Sequence, residues 1–177
     1  GDEDAVLADA VARYGALEGA AIALLLARAK CEAVAADLRS SALVLGCDSV
    51  LDLDGEVHGK PRDAAEATER WRAMRGRSGV LHTGHCLTDP ATGRTDAETA
   101  STTVHFEEVD DAELAAYVAT GEPLHVAGAF TIDGLGGAYV RAIEGDHHNV
   151  VGLSLPLLRR LVQRLGHPWH EFWTAPR

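Results

Sequence analysis

The stretch from Ala42 to His58 constrains the fold more than any other part of the chain. Ala42-Leu43-Val44-Leu45-Gly46-Cys47 is short and apolar, which reads as a strand buried on both faces and ending at Asp48. Leu51-Asp52-Leu53 and Glu56-Val57-His58 flank Asp54-Gly55, a favoured two-residue hairpin turn. That turn pairs Leu53 with Glu56. Counting back along the ladder sets Ser49 opposite Lys60 and Asp48 opposite Pro61. Strict pleating would put Lys60 on the face of Ser49, away from Asp48, and Gly59 is the residue able to break that pleat.

Other elements alternate around this hairpin. Residues 16–38 read as a long Ala/Leu-rich helix. Asp63 opens a helix to Met74, and residues 79–88 and 96–108 read as strands around an Asp89-Pro90…Gly93 turn. Asp110 caps a helix to Thr120, with Glu113 as its capping-box partner. Strands are predicted near 128–133 and 137–144, and a last helix over 155–165. The pattern predicts an α/β fold, a mixed sheet covered by helices, in one bilobed domain over residues 1–177. A hydrophobic content of 46% supports a sizeable core, with Ala, Leu and Val doing most of the packing because aromatics are only 5%.

The formal net charge of -11 disfavours nucleic-acid polymers and anionic membrane surfaces as partners. Three cysteines without a CxxC pair, no signal peptide and no apolar run long enough to span a bilayer predict a cytoplasmic protein, although the chain opens with Gly1 rather than Met. Within the basic residues one contrast stands out. Of 16, only Lys30 and Lys60 are lysines.

Lys30 follows Ile22 and Leu26 and precedes Val34 at i+4 steps, so it lies along an apolar helix face. It either snorkels over the core edge or projects a cation into a cleft. Asp48 beyond a strand either forms a turn or holds a metal or activates water. Asp2-Glu3-Asp4 is either a solvated start or the source of a second carboxylate for Mg²⁺. His82-x-x-His85-Cys86 and His147-His148 carry no zinc signature, and His82 and His85 would point to opposite faces of their strand. Trp169 and Trp173 either pack the tail on its own domain or form a partner patch.

Taken together, these segments resemble the Maf proteins, nucleoside triphosphate pyrophosphatases once described as septum-formation inhibitors. The likeness covers about residues 2–166. It rests on Gly46-Cys47-Asp48-Ser49-Val50, Leu53-Asp54-Gly55-Glu56, Gly59-Lys60-Pro61, His82-Thr83-Gly84, Thr103-Val104-His105-Phe106, Tyr117 with Gly121-Glu122-Pro123, Ala127-Gly128-Ala129-Phe130, Ile143-Glu144-Gly145-Asp146 and Asn149-Val150-Val151-Gly152-Leu153. The resemblance implies an inosine triphosphate pyrophosphatase-like fold, a mixed sheet flanked by helices with two lobes and a central cleft. It also implies hydrolysis of a nucleoside triphosphate to the monophosphate and pyrophosphate with a divalent metal, Mg²⁺ or Mn²⁺. Position by position, Asp48 matches the family's catalytic acidic residue and Lys30 and Lys60 its two active-site lysines. Glu3 with Asp48 matches the metal-binding carboxylates, and Ser49, His125 and Asp133 fall in the substrate-binding region. Related proteins are often dimers, so a homodimer is expected, and a regulatory binding role in septum formation is the alternative to catalysis.

The chain departs from the family pattern at several points. The family's opening Ser-x-Ser-Pro-Arg-Arg stretch, which helps hold phosphates, would lie before Gly1. His125-Val126-Ala127-Gly128 stands where uridine/thymidine-type members have Asp-Lys-Ala-Gly, Ile132-Asp133-Gly134 replaces Ile-Gln-Gly, and Ser154 replaces Pro. Pro123-Leu124-His125 is closer to the 7-methyl-GTP-preferring branch. An ionised Asp133 accepts hydrogen bonds and cannot donate them, which suits the N1–H and amino edge of guanine better than a uracil carbonyl and predicts a purine preference.

Overall fold

The computed structural model describes residues 2–173. Its centre is a five-stranded sheet in the order β2-β1-β3-β4-β5. The strands are β1 Val44–Leu53, β2 Glu56–His58, β3 Ser78–Asp89, β4 Arg94–Phe106 and β5 Val140–Glu144. Every pairing among the described residues is antiparallel, so the fold mixes helices with strands rather than strand directions. Six helices flank the sheet: α1 Glu3–Tyr14, α2 Gly19–Asp37, α3 Ala64–Met74, α4 Asp111–Ala119, α5 His147–Val151 and α6 Leu155–Arg164. No helix among the described residues is long and apolar enough to cross a membrane.

The Asp-Gly turn works as its residues demand. Leu53 pairs with Glu56, and Asp54 and Gly55 both take positive φ (54° and 84°), as a type I′ hairpin requires. The ladder stops at Leu51–His58. The predicted extension to Ser49–Lys60 is therefore absent, and Lys60 is placed by the segment after β2. β1 also continues past the predicted end at Cys47, so Asp48 is a mid-strand residue. Because β2 is only three residues long, β1 has a free edge from Val44 to Val50.

Side-chain caps set several helix starts. Asp63, Asp110 and Ser154 accept hydrogen bonds from the backbone N–H groups of Glu66, Glu113 and Leu157. One further expectation needs correction. The segment near 128–133 is not a strand: Gly128 and Ala129 take positive φ (74° and 61°), and short 3₁₀ turns replace extended backbone. The acidic start belongs to a helix, with the Asp2 carboxylate accepting from the Ala5 N–H as its cap.

The largest core cluster packs Trp71 of α3 against Phe106, Tyr117 and Tyr139 in edge-to-face geometry, with Leu51, Leu53, Met74 and Leu114 around them. A second cluster sets Leu87 under Leu157 and Leu161 of α6, and Trp169 packs on its margin. Trp173 stays 70% exposed. On the other sheet face, α2 lies directly on β1 and β3. A Cβ on Gly46 would meet the Ala27 carbonyl oxygen at 2.4 Å, and one on Gly84 would meet that of Ala23 at 2.2 Å. Only glycine permits this approach, and Gly84 is paired with Asp48. The close seat of α2 therefore sets the height of Lys30 above Asp48.

Candidate active site

A cleft of about 460 Å³ opens over the free edge of β1, and Glu3, Lys30, Cys47, Asp48, Ser49, Lys60 and His125 contribute to its lining. The strand's pleat points Asp48 and Ser49 to opposite faces. Both reach the cleft because no neighbouring strand covers the edge there.

Lys30 is the hub of the charged groups. Its ammonium donates to Asp48 Oδ1 and lies 2.9 Å from Glu3 Oε1. Asp48 is nearly enclosed, with 11% of its side chain exposed, whereas Lys30 and Glu3 are half-open at 41% and 55%. Burial lifts the Asp48 carboxyl above the ordinary carboxylate range; Lys30 opposes that shift and the nearby Glu3 adds to it. Burial alone would lower the Lys30 ammonium, but the carboxylates of Asp48 and Glu3 outweigh it and raise it overall. Lys30 is thus charged, and Asp48 is a carboxylate of increased basicity. The snorkelling alternative is resolved by these contacts: Leu26 is buried, Val34 is 56% exposed, and Lys30 ends on two carboxylates.

Lys60 reaches the same cleft from the segment after β2. The Gly59 carbonyl accepts from the Gly128 N–H at 3.2 Å and from Arg70 Nη1 at 2.5 Å. Arg70 is itself buried and paired with Glu66 at 2.8 Å. These bonds seat the preceding residue, and the Lys60 side chain remains exposed at the cleft.

Ser49 Oγ lies 2.8 Å from Thr83 Oγ1, which donates to the Asn149 carbonyl. Ser49 also borders a second cavity of about 330 Å³, lined by Leu81, Phe130, Thr131, Asp133 and Val151 among others. Ser49, Ala127 and Gly152 line both spaces, so the two adjoin and are read together as one depression. One end is charged and the other is largely apolar with a single carboxylate, Asp133. His125 lies at the charged end and Asp133 at the apolar end, which are separate places along the same depression.

Cys47 also lines the cleft, although nothing in its residue type signals that place. Burial pushes its thiol up to about 11, so it stays protonated beside Asp48. Glu122 stands in the sequence only as part of the Gly121-Glu122-Pro123 segment, with no role read from its residue type. The histidines do not gather at the cleft. His85 is buried between the Thr83 carbonyl and the Ser154 N–H, and burial holds it neutral. His82 meets Ser101. Asp146, His147 and His148 lie together, but the Asp146 carboxylate already accepts from Ser154 and His148.

A family profile described as "Maf-like protein" matches residues 5–165. The chain belongs to this family. A relative from Streptomyces coelicolor named "Nucleoside triphosphate pyrophosphatase" is 58% identical over 174 residues, 98% of this chain and 81% of its own length. Relatives of the same name from Salinispora tropica and Thermosynechococcus vestitus are 60% and 57% identical, over 86% and 81% of this chain and 70% and 72% of their own lengths. For a Maf-like chain, a depression with a cationic, carboxylate-bearing end and an apolar end has the polarity of a nucleotide. The oxygen donors of Asp48 and Glu3 also fit a hard divalent cation, because the Lys30 ammonium already sits between them as a positive charge.

Proposed function

We propose that this Maf-like protein hydrolyses a nucleoside triphosphate to the monophosphate and pyrophosphate in the cleft around Asp48. The observation that carries the reading is the meeting of Lys30 with Asp48 and Glu3 at one end of a depression whose other end is apolar. Lys30 and Lys60, which both line the cleft, neutralise phosphate charge. Asp48, made more basic by burial, accepts the proton of the attacking water. Ser49, at the junction of the two spaces, binds the substrate between phosphates and base, and His125 lines the phosphate end. Asp48 and Glu3 would hold Mg²⁺ or Mn²⁺, which supplies charge neutralisation for the triphosphate and the leaving pyrophosphate.

The apolar cavity takes the base. Asp133 on its wall accepts hydrogen bonds and favours a purine that offers N–H groups, guanine above all. Pyrophosphate release from GTP, 7-methyl-GTP, UTP, dTTP and CTP with Mg²⁺ and with Mn²⁺ tests this. Highest kcat/KM on a guanine nucleotide supports it, and a clear preference for UTP or dTTP refutes the role given to Asp133.

A further inference from the structure

We propose that Glu122 is a positioning residue for base selection, holding the loop that carries Asp133 against the base cavity. The proposal rests on the nucleotide reading above. Glu122 follows α4 and extends its carboxylate into the turn formed by residues 131–136. Oε1 accepts from Thr131 Oγ1 at 2.5 Å and from the Gly136 N–H at 3.0 Å, while Oε2 accepts from the Leu135 N–H at 3.0 Å. Tyr117, part of the aromatic core, donates to Oε1 at 2.8 Å and anchors the same carboxylate from below.

One side chain therefore ties both ends of a six-residue loop to the core. Asp133 lies between the tied ends, is itself exposed, and with Thr131 lines the base cavity. Thr131 is thus shared between cavity wall and clasp. Burial would raise the Glu122 carboxyl, but its donors outweigh that and hold it down at about 2, so the clasp is ionised at any working pH. Charge-assisted hydrogen bonds of this kind are roughly twice as strong as neutral ones. A glutamine at 122 has one acceptor oxygen, and its amide cannot accept from both Oε1 and Oε2 donors.

The test is Glu122→Gln, read by steady-state kinetics on GTP and UTP and by amide hydrogen exchange over 131–137. Expected are KM for the preferred nucleotide raised about tenfold, a comparable fall in the GTP/UTP ratio of kcat/KM, and kcat nearly unchanged. Exchange at Leu135 and Gly136 should also quicken about tenfold or more. A folded, active variant with wild-type selectivity overturns the proposal, as does a loss of kcat shared equally by all nucleotides. Tyr117→Phe removes one donor and should move selectivity the same way to a smaller extent; unchanged selectivity there, should Glu122→Gln fail to fold, also overturns it. Wild-type protein that releases no pyrophosphate from any nucleotide refutes the enzymatic reading itself and this role with it.

Discussion

Gly84→Ala tests whether the seat of α2 sets the catalytic geometry. The new methyl would lie 2.2 Å from the Ala23 carbonyl oxygen and 2.6 Å from Leu24 Cα, where ordinary contact begins at 3.4 Å. Both neighbours are helix backbone, so no side chain can swing aside and α2 must withdraw by roughly 1 Å. Lys30 lies two turns further along the same helix, and its ammonium reaches Asp48 on the strand paired with Gly84. Overpacking of this kind costs about 1–3 kcal/mol, which at this chain length lowers Tm by roughly 2–12 °C. A displacement near 1 Å in a reacting constellation can cost ~10²-fold in rate. The assay is pyrophosphate release at a temperature where circular dichroism shows the variant fully folded. The expected result is a kcat/KM reduced by about two orders of magnitude in a folded protein with lowered Tm. Wild-type kinetics with an unchanged Tm would refute the reasoning, because it would mean that α2 neither packs this tightly nor governs Lys30.

Lys60→Ala should lower kcat/KM by ~10²–10³ with Tm unchanged, because the side chain is exposed and its proposed task is to meet phosphate; kinetics beside thermal melts check both halves. Glu122 makes an acid-side contribution to stability. Its carboxyl is held down at about 2 against an ordinary 4.5, so the contribution is complete above 4.5 and fades as pH falls toward 2. Glu122→Gln should flatten that part of the stability–pH curve, and urea midpoints measured at several pH values between these limits would show it.

Much of the frame could be read from residue types. The Asp-Gly turn determined the register of the short hairpin, and Asp63 and Asp110 marked helix starts through their own side chains. What escaped depended on long-range contact. Residue type alone left the acidic start open between a solvated terminus and a carboxylate source, and only the family resemblance pointed to Glu3; its meeting with Lys30 across two helices is a long-range contact. The 128–133 segment has apolar residues suited to a strand, yet Gly128 and Ala129 turn there and the Gly59 carbonyl accepts the Gly128 N–H. Lys60 reaches the cleft as its spacing suggested, but by the bonds to Gly59 rather than by the ladder. Lys30 was legible as an anomaly on an apolar face; that it bridges two carboxylates required the close approach of α2 at Gly46 and Gly84. The clasp on Glu122 joins residues 5 to 14 positions apart through turns that leave no periodic trace.

The surface charge and the site also separate cleanly. A net charge of -11 repels polyanions in general, while the two lysines of the chain both line the cleft. On the proposed function, a triphosphate would be neutralised by these local cations despite the acidic exterior.

Asp48→Asn tests the central claim most directly. It keeps the size of the side chain and removes the carboxylate that faces Lys30 and is proposed as the base. Pyrophosphate release should fall by ~10²–10³ in kcat/KM while thermal stability holds. Near wild-type pyrophosphate release by Asp48→Asn would contradict the assignment of this cleft as the active site.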